Sequence, residues 1–467
     1  MSAGLPFDVP TKPLLDPGFR PAVLWNRAYR ARVAADPAST PLRLGLSRAD
    51  GTCFVLDLRI LPHEGAAAAL NERYVERMVK TMLWQWGGSR IHVGGGPPAL
   101  VDVLARAYAA DGARAFDHDI VGLKMFDEGL SVRGCALDEV PEPRQRAVPL
   151  GRNLDGCRIG FDLGGSDRKC AALVDGEVVH SEEVEWDPYF EQDPEYHFEG
   201  IMDSLRRAAA HLPRVDAIGG SAAGVYVDNE VKAASLFRGI RPEDYERKVR
   251  RIFFRVQEAW GGVPFEVVND GEVTALAGSM SIGDGAVLGV AMGTSTAAGY
   301  CDADGHITLG LNELAFSPAD YRDDAPADEW SGDLGCGVQY FSQQGVARLA
   351  PAAGFDFPAG MPFPEQLVKV QEAMAAEDPR ARRLYQTLGA CFGYAVAHWA
   401  EFYEVRHLLA LGRVTSGEGG EVLLREAEGV LAREFPELAE RVALVTPNEK
   451  DKRHGQAIAA ASLPALG

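Results

Sequence analysis

Residues 162–169 read Asp162-Leu163-Gly164-Gly165-Ser166-Asp167-Arg168-Lys169, set between the short apolar runs 158–161 and 170–174. The pattern predicts a strand, a tight turn and a returning strand. Gly164 and Gly165 carry no Cβ, so backbone N–H groups there can approach a phosphate closely. Asp162, at the strand's mouth, is placed to hold Mg²⁺ through water, because that ion keeps much of its hydration and uses few carboxylates. Ser166 and Lys169 would then contact phosphate oxygens. Taken alone, a hairpin whose glycine pair merely makes the turn explains the stretch equally well.

A second glycine turn lies in GVAMGTSTAAG (289–299), between two apolar stretches, and offers the amides and hydroxyls of Gly293, Thr294 and Ser295. Two such hairpins, far enough apart to belong to separate lobes, point to a clamp on a polyphosphate. Between them stands VVND (267–270), which ends an apolar strand just before a helical stretch at 272–281. A carboxylate at Asp270 can take the proton of a substrate hydroxyl as its oxygen attacks a γ-phosphorus. Asn and Asp are also favoured helix N-caps, and the two roles are compatible. Further on, LGRVTSGEGG (411–420) joins a strand to a helix, where Gly412 and Gly417 would let a flat base lie against the backbone, with Thr415 between them as a further cofactor contact.

Around these motifs the chain alternates helix and strand, which predicts mixed α/β layers. A meander of three strands spans 158–186 and turns at Asp175-Gly176; helical periodicity follows at 198–212 and a charged helix at 242–260. A second hairpin-like run covers 286–305, and strands recur near 408–411 and 442–445. The polar segment 138–153 separates residues 1–150 from 151–467. The first 150 residues read as a hairpin turning at Asp50-Gly51, a helix at 66–86, and strand, glycine turn and helix at 90–110. That order also occurs near the C-terminus, so the front block lines up as a worn partial copy of the later part.

The 67 acidic against 47 basic residues give a formal charge of −20, which disfavours nucleic acid as a partner. The 7 Cys are scattered without a Cys-x-x-Cys pair, so neither a disulfide framework nor a Cys-rich zinc site is indicated. No apolar run approaches the roughly 20 residues of a membrane span, and the expected setting is a reducing cytoplasm. The ten His are dispersed, and His92, His398 and His407 read as strand or helix residues. Trp84, Trp86, Trp330 and Trp399 read as core or interface aromatics, with stacking on a sugar ring as the alternative for Trp330.

Over about 158–464 these residues resemble the ROK family (repressors, open reading frames and kinases) within the actin, Hsp70 and sugar-kinase superfamily. DLGGSDRK is similar to its first phosphate motif, with Ser where Thr is usual, and GVAMGTSTAAGY to its second. AIGGSAAGVYVDN (217–229) resembles its substrate-side strand and turn, around Gly224. VVNDGEVTALAG resembles its Asn-Asp motif; LGRVTSGEGG and HGQAIAAA fall where the adenosine site and closing helix are expected. The resemblance implies a two-lobed actin-like (ribonuclease H-like) fold, with a first lobe at about 151–275 plus the C-terminal helix and a second at about 276–448, ATP and Mg²⁺ in the cleft, Asp270 as base, Asn269 on a sugar hydroxyl, lobe closure on binding, and a homodimer.

The departures cluster around the acceptor. LNELAF (311–316) keeps Glu313 as an acceptor contact but has Phe316 where the family places a His that binds both sugar and zinc. The family's Cys-rich run is reduced to DLGCGVQYFS (333–342), with Cys336 alone and Val338 where a sugar-binding Glu is usual. No structural zinc is expected, because four ligands cannot be assembled. The expectation is therefore an ATP-dependent kinase acting on a small sugar or polyol. The alternatives are a nucleotide- or sugar-binding sensor that keeps the cleft without turnover, and a hydrolytic ATPase. A DNA-binding regulator is disfavoured, since the front block shows no compact basic helix pair.

Overall fold

The computed structural model describes residues 5–144, 149–446 and 455–466. The deciding sheet runs β7-β6-β5-β8-β11, built from β5 (Cys157–Leu163), β6 (Asp167–Val174), β7 (Glu177–Glu185), β8 (Ala217–Ala222) and β11 (Phe265–Asn269). β5, β6 and β7 form the antiparallel meander, turning at Asp175-Gly176 with both φ values positive, while β8 and β11 add in parallel. Every residue of β5 is buried, as a central strand covered on both faces requires. Helix Pro194–Ala209 covers one face. Helix Gly455–Ala461 lies on the other, so close that a Cβ at Gly160 would stand 1.7 Å from the Ala457 carbonyl oxygen.

A second sheet runs β13-β12-β14-β15, from β12 (Val287–Met292), β13 (Thr296–Cys301), β14 (His407–Leu411) and β15 (Ala443–Val445). Helix Asp270–Ile282 leaves β11 of the first sheet and packs on this second one, where the Ala298 carbonyl oxygen would stand 2.6 Å from a Cβ at Gly271. The expected single helix at 242–260 is instead broken into short pieces at 242–244, 245–249 and 252–259.

The front block carries its own sheet, β2-β1-β3-β4, from β1 (Thr40–Ser47), β2 (Cys53–Ile60), β3 (Arg90–Gly94) and β4 (Ser131–Cys135). The hairpin at Asp50-Gly51 and the helix Gly65–Gln85 lie where the sequence placed them. Its strand order matches that of β13-β12-β14-β15, but β3 runs antiparallel to β1 whereas β14 runs parallel to β12. The outer pairs agree in direction too, β1–β2 and β12–β13 being antiparallel and β3–β4 and β14–β15 parallel, so the two sheets differ only at the central pair. Helix Ala22–Ala35, which the sequence pattern did not disclose, is covered on two sides. Trp25 and Tyr29 enter the front-block core, while Val23 and Leu24 join Val9 and Phe19 in the core of the second lobe.

Candidate active site

Asp270 is the first residue of helix Asp270–Ile282, directly after the cap Asn269. The Asn269 side chain accepts a hydrogen bond from the Gly271 amide (2.7 Å) and donates to the Gly224 carbonyl (2.6 Å). The N-cap reading is thus met by Asn269, and Asp270 is left half-buried on a cavity of about 470 Å³ between helix Asp270–Ile282 and β14 and β15. Burial raises its pKa, offset in part by backbone donors, which strengthens a base. Leu409, Leu411 and Val445 give the cavity apolar walls, and Thr274, Ser281 and Gln456 supply polar groups.

Asp162, next to last in β5, is 6% exposed and accepts the Ser221 hydroxyl at 2.7 Å. Burial pushes its carboxyl up to about 6; Ser221 and Lys169 pull it down, and the charge of Asp270 raises it. The two carboxylates thus share one field. Lys169 stands 3.9 Å from Asp162 and 3.0 Å from Asp167. Glu313 is drawn in by the front block, its amide donating to the Trp84 carbonyl (2.9 Å), and burial together with Asp270 pushes its carboxyl up to about 7.

The structure therefore brings Asp162, Lys169, Asn269, Asp270, Gly224 and Glu313 together. The hairpin turns are more occupied than the sequence suggested: the Gly164 amide closes onto the Asp167 carbonyl and the Gly293 amide onto the Ser295 carbonyl, each at 2.9 Å. Gly165, Ser166, Thr294 and Ser295 remain at the turn tips, with Ser166, Thr294 and Ser295 exposed. Gly412 lies against the end of β12, where a Cβ would stand 2.5 Å from the Met292 carbonyl oxygen, so it shares a corner with the Gly293 turn. The Thr415 hydroxyl folds back onto the Gly412 carbonyl (3.1 Å), and Gly417 simply starts helix Gly417–Glu434. Of the proposed phosphate, base and acceptor residues, Asp270 alone lines the 470 Å³ cavity. His454, at the start of the HGQAIAAA stretch, lies outside the described residues.

Sequence reasoning missed Ser221, which orients Asp162, and Glu272, whose carboxyl interacts with the Asn269 backbone. The latter was legible as a capping box, Asn269-x-x-Glu272. Phe316, one turn after Glu313, packs on Trp84 (ring centroids 4.3 Å) and Phe116 (5.4 Å), and Val338 is buried with Ala315 and Cys336. Trp330, read as a core or interface residue, is 79% exposed and stacked over Phe316. In the reduced 333–342 segment, Asp333 is held by front-block cations: Lys80 at 2.9 Å, Arg77 at 3.4 Å, and Arg114. Among the described residues, no group of three His, Cys, Asp or Glu side chains is placed to hold a metal ion, and no helix is long and apolar enough to cross a membrane.

No family model and no curated protein matches the sequence. Among solved structures, a ROK hexokinase from Thermus thermophilus superposes with a TM-score of 0.52 at 19% identity, covering 66% of this chain and 97% of that one. A ROK family glucokinase from Streptomyces griseus, in complex with glucose and AMPPNP, gives 0.48 at 20% identity over 67% and 100%. A ROK family transcriptional regulator, a homolog of the E. coli MLC protein, gives 0.48 at 20% over 66% and 79%. In fold, this chain is a two-lobed, actin-like α/β protein of the kind seen in the ROK hexokinase, with about a third of its length added to that frame.

Proposed function

We propose that this protein transfers the terminal phosphate of ATP to a hydroxyl of a small sugar or polyol in the cytoplasm. The observation that carries the proposal is the junction at the start of helix Asp270–Ile282: Asn269 is fixed to Gly224, Asp270 faces the interlobe cavity, and Asp162 and Glu313 lie within its field. Asp270 takes the hydroxyl proton, the freed oxygen pair forms the bond to the γ-phosphorus, and the bond to the β–γ bridging oxygen breaks to release ADP. Asn269 orients the acceptor while Glu313 holds a second hydroxyl. Mg²⁺ fits Asp162 as a single, Ser221-oriented carboxylate reached through water, and would offset phosphate charge there. Gly165, Ser166, Thr294 and Ser295 at the turn tips are the phosphate contacts on this reading.

A non-catalytic sensor is the second reading. It is favoured by the apolar character of Phe316 and Val338 where polar acceptor contacts were expected. The test is ADP release with ATP, Mg²⁺ and a panel of hexoses, amino sugars and polyols, beside Asp270→Ala. The kinase predicts acceptor-dependent release that falls about 10²- to 10⁴-fold in the variant, with ATP binding retained. Tight ATP binding without acceptor-dependent release supports the sensor; release that ignores the acceptor supports a hydrolase.

A further inference from the structure

Two cavities adjoin the start of helix Asp270–Ile282. Asp270 and Gly271 line the interlobe one, Glu272 lines a second of about 430 Å³, and Glu313 lies in the field of both Asp270 and Glu272. That second cavity is enclosed by all three parts of the molecule: Arg48, Phe126 and Asp127 from the front block, Tyr226 and Lys232 from the first lobe, and 307–311 from the second. Its volume falls within the range of sites for ligands larger than one sugar ring. The front block is tied to its rim, since Val225, beside Gly224, packs against the front-block core and Asp127 pairs with Lys232 at 2.7 Å.

The cations of this wall are engaged. Arg48 donates to the carbonyls of Gly87 (3.1 Å), Trp86 and Leu309 (2.6 Å), and Lys232 is shared between Asp127 and Glu230. Glu272 is 8% exposed, and its partners are neutral: the Asn312 amide at 3.3 Å and the Asn269 backbone. Burial, with the Glu313 charge added, pushes its carboxyl up to about 8 despite Arg48. Glu272 therefore mostly keeps its proton near neutral pH, and an ammonium brought by a ligand would stabilise the carboxylate left when that proton is released.

Resting on the kinase reading, we propose that this front-block cavity is an acceptor subsite that takes a protonated amine, so that the preferred acceptor is an amine-bearing sugar or cyclitol with Glu272 as its counter-ion. The front block is then a wall of the acceptor site. Binding and turnover are measured for glucosamine against glucose, with the two-ring amine neamine as a further binding probe. Wild-type protein is expected to prefer the amine at least tenfold, both in kcat/KM and in calorimetric Kd without nucleotide. Glu272→Gln should bring the glucosamine-to-glucose ratio close to one, and Glu272→Asp should keep most of it. Equal or better use of glucose, or a ratio indifferent to Glu272→Gln, overturns the proposal. If the amines bind through Glu272 but no acceptor is phosphorylated, the kinase reading fails and the amine subsite stands; if neither amine binds more tightly than glucose, the subsite fails whatever the turnover.

Discussion

Ser221 donates its hydroxyl to Asp162 and thereby keeps that carboxyl more ionised than burial alone would allow. On the kinase reading the ionised form is the active one, so kcat/KM should rise with pH through about 6. Ser221→Ala removes the stabilising donor and should move that acid limb to higher pH, which a pH–rate profile would detect. Glu272 has the opposite linkage. Its folded pKa, about 8, lies above the ordinary 4.5, so its contribution to stability is fully present below about 4.5 and is lost as pH rises through 8. Glu272→Gln should therefore raise Tm by roughly 2–4 °C at pH 8.5 and by much less at pH 5. Asp270 and Asn269 were legible because a strand end followed by a helix start confines two adjacent polar residues to the sheet's edge. Ser221 was not, because its partner lies 59 positions away and only the parallel register of β5 and β8 joins them.

Elements meet here at glycines. Gly299 on β13 faces Gly271 so closely that a Cβ would stand 2.2 Å from the Gly271 carbonyl oxygen. Gly299→Ala must push the start of helix Asp270–Ile282 off the second sheet. The expected loss is about 3 kcal/mol of stability, with a fall in kcat because Asp270 moves with the helix; thermal melts and initial rates check both. A Tm unchanged within error would show that the contact relaxes freely. Hairpins at Asp50-Gly51 and Asp175-Gly176 were readable because alternating strands and left-handed turn residues are local signals. Helix Ala22–Ala35 was not, since cores on two sides erase the apolar-polar alternation that marks a surface helix.

At the scale of the molecule, the front block is welded to the second lobe by a buried ion cluster. Lys80, with its side chain 1% exposed, reaches Asp117 at 3.0 Å and Asp333 at 2.9 Å. Lys80→Met leaves both carboxylates buried without it and should cost about 3–5 kcal/mol, because breaking one partner of a buried cluster strands the others; denaturant melts would measure it. Removing residues 1–150 strips Val9, Phe19, Val23 and Leu24 from the second-lobe core and uncovers Phe316, so the remainder should be recovered largely in the insoluble fraction. A soluble, cooperatively melting remainder would show the block to be dispensable.

From the chain alone came the two glycine hairpins, the strand that delivers Asn269 and Asp270, and the mixed α/β layers, because each rests on residues adjacent in sequence and on short periodicities; the two-lobed frame came from the family resemblance those motifs carry. Only the tertiary structure decided that two of the turn amides are spent in their own hairpins, that Glu313 is positioned through Trp84, and that Phe316 is shielded by front-block aromatics. It also decided that Lys80, Arg77 and Arg114 occupy the reduced 333–342 segment. Those facts depend on pairings across hundreds of residues, which burial and strand direction fix and which no local pattern encodes.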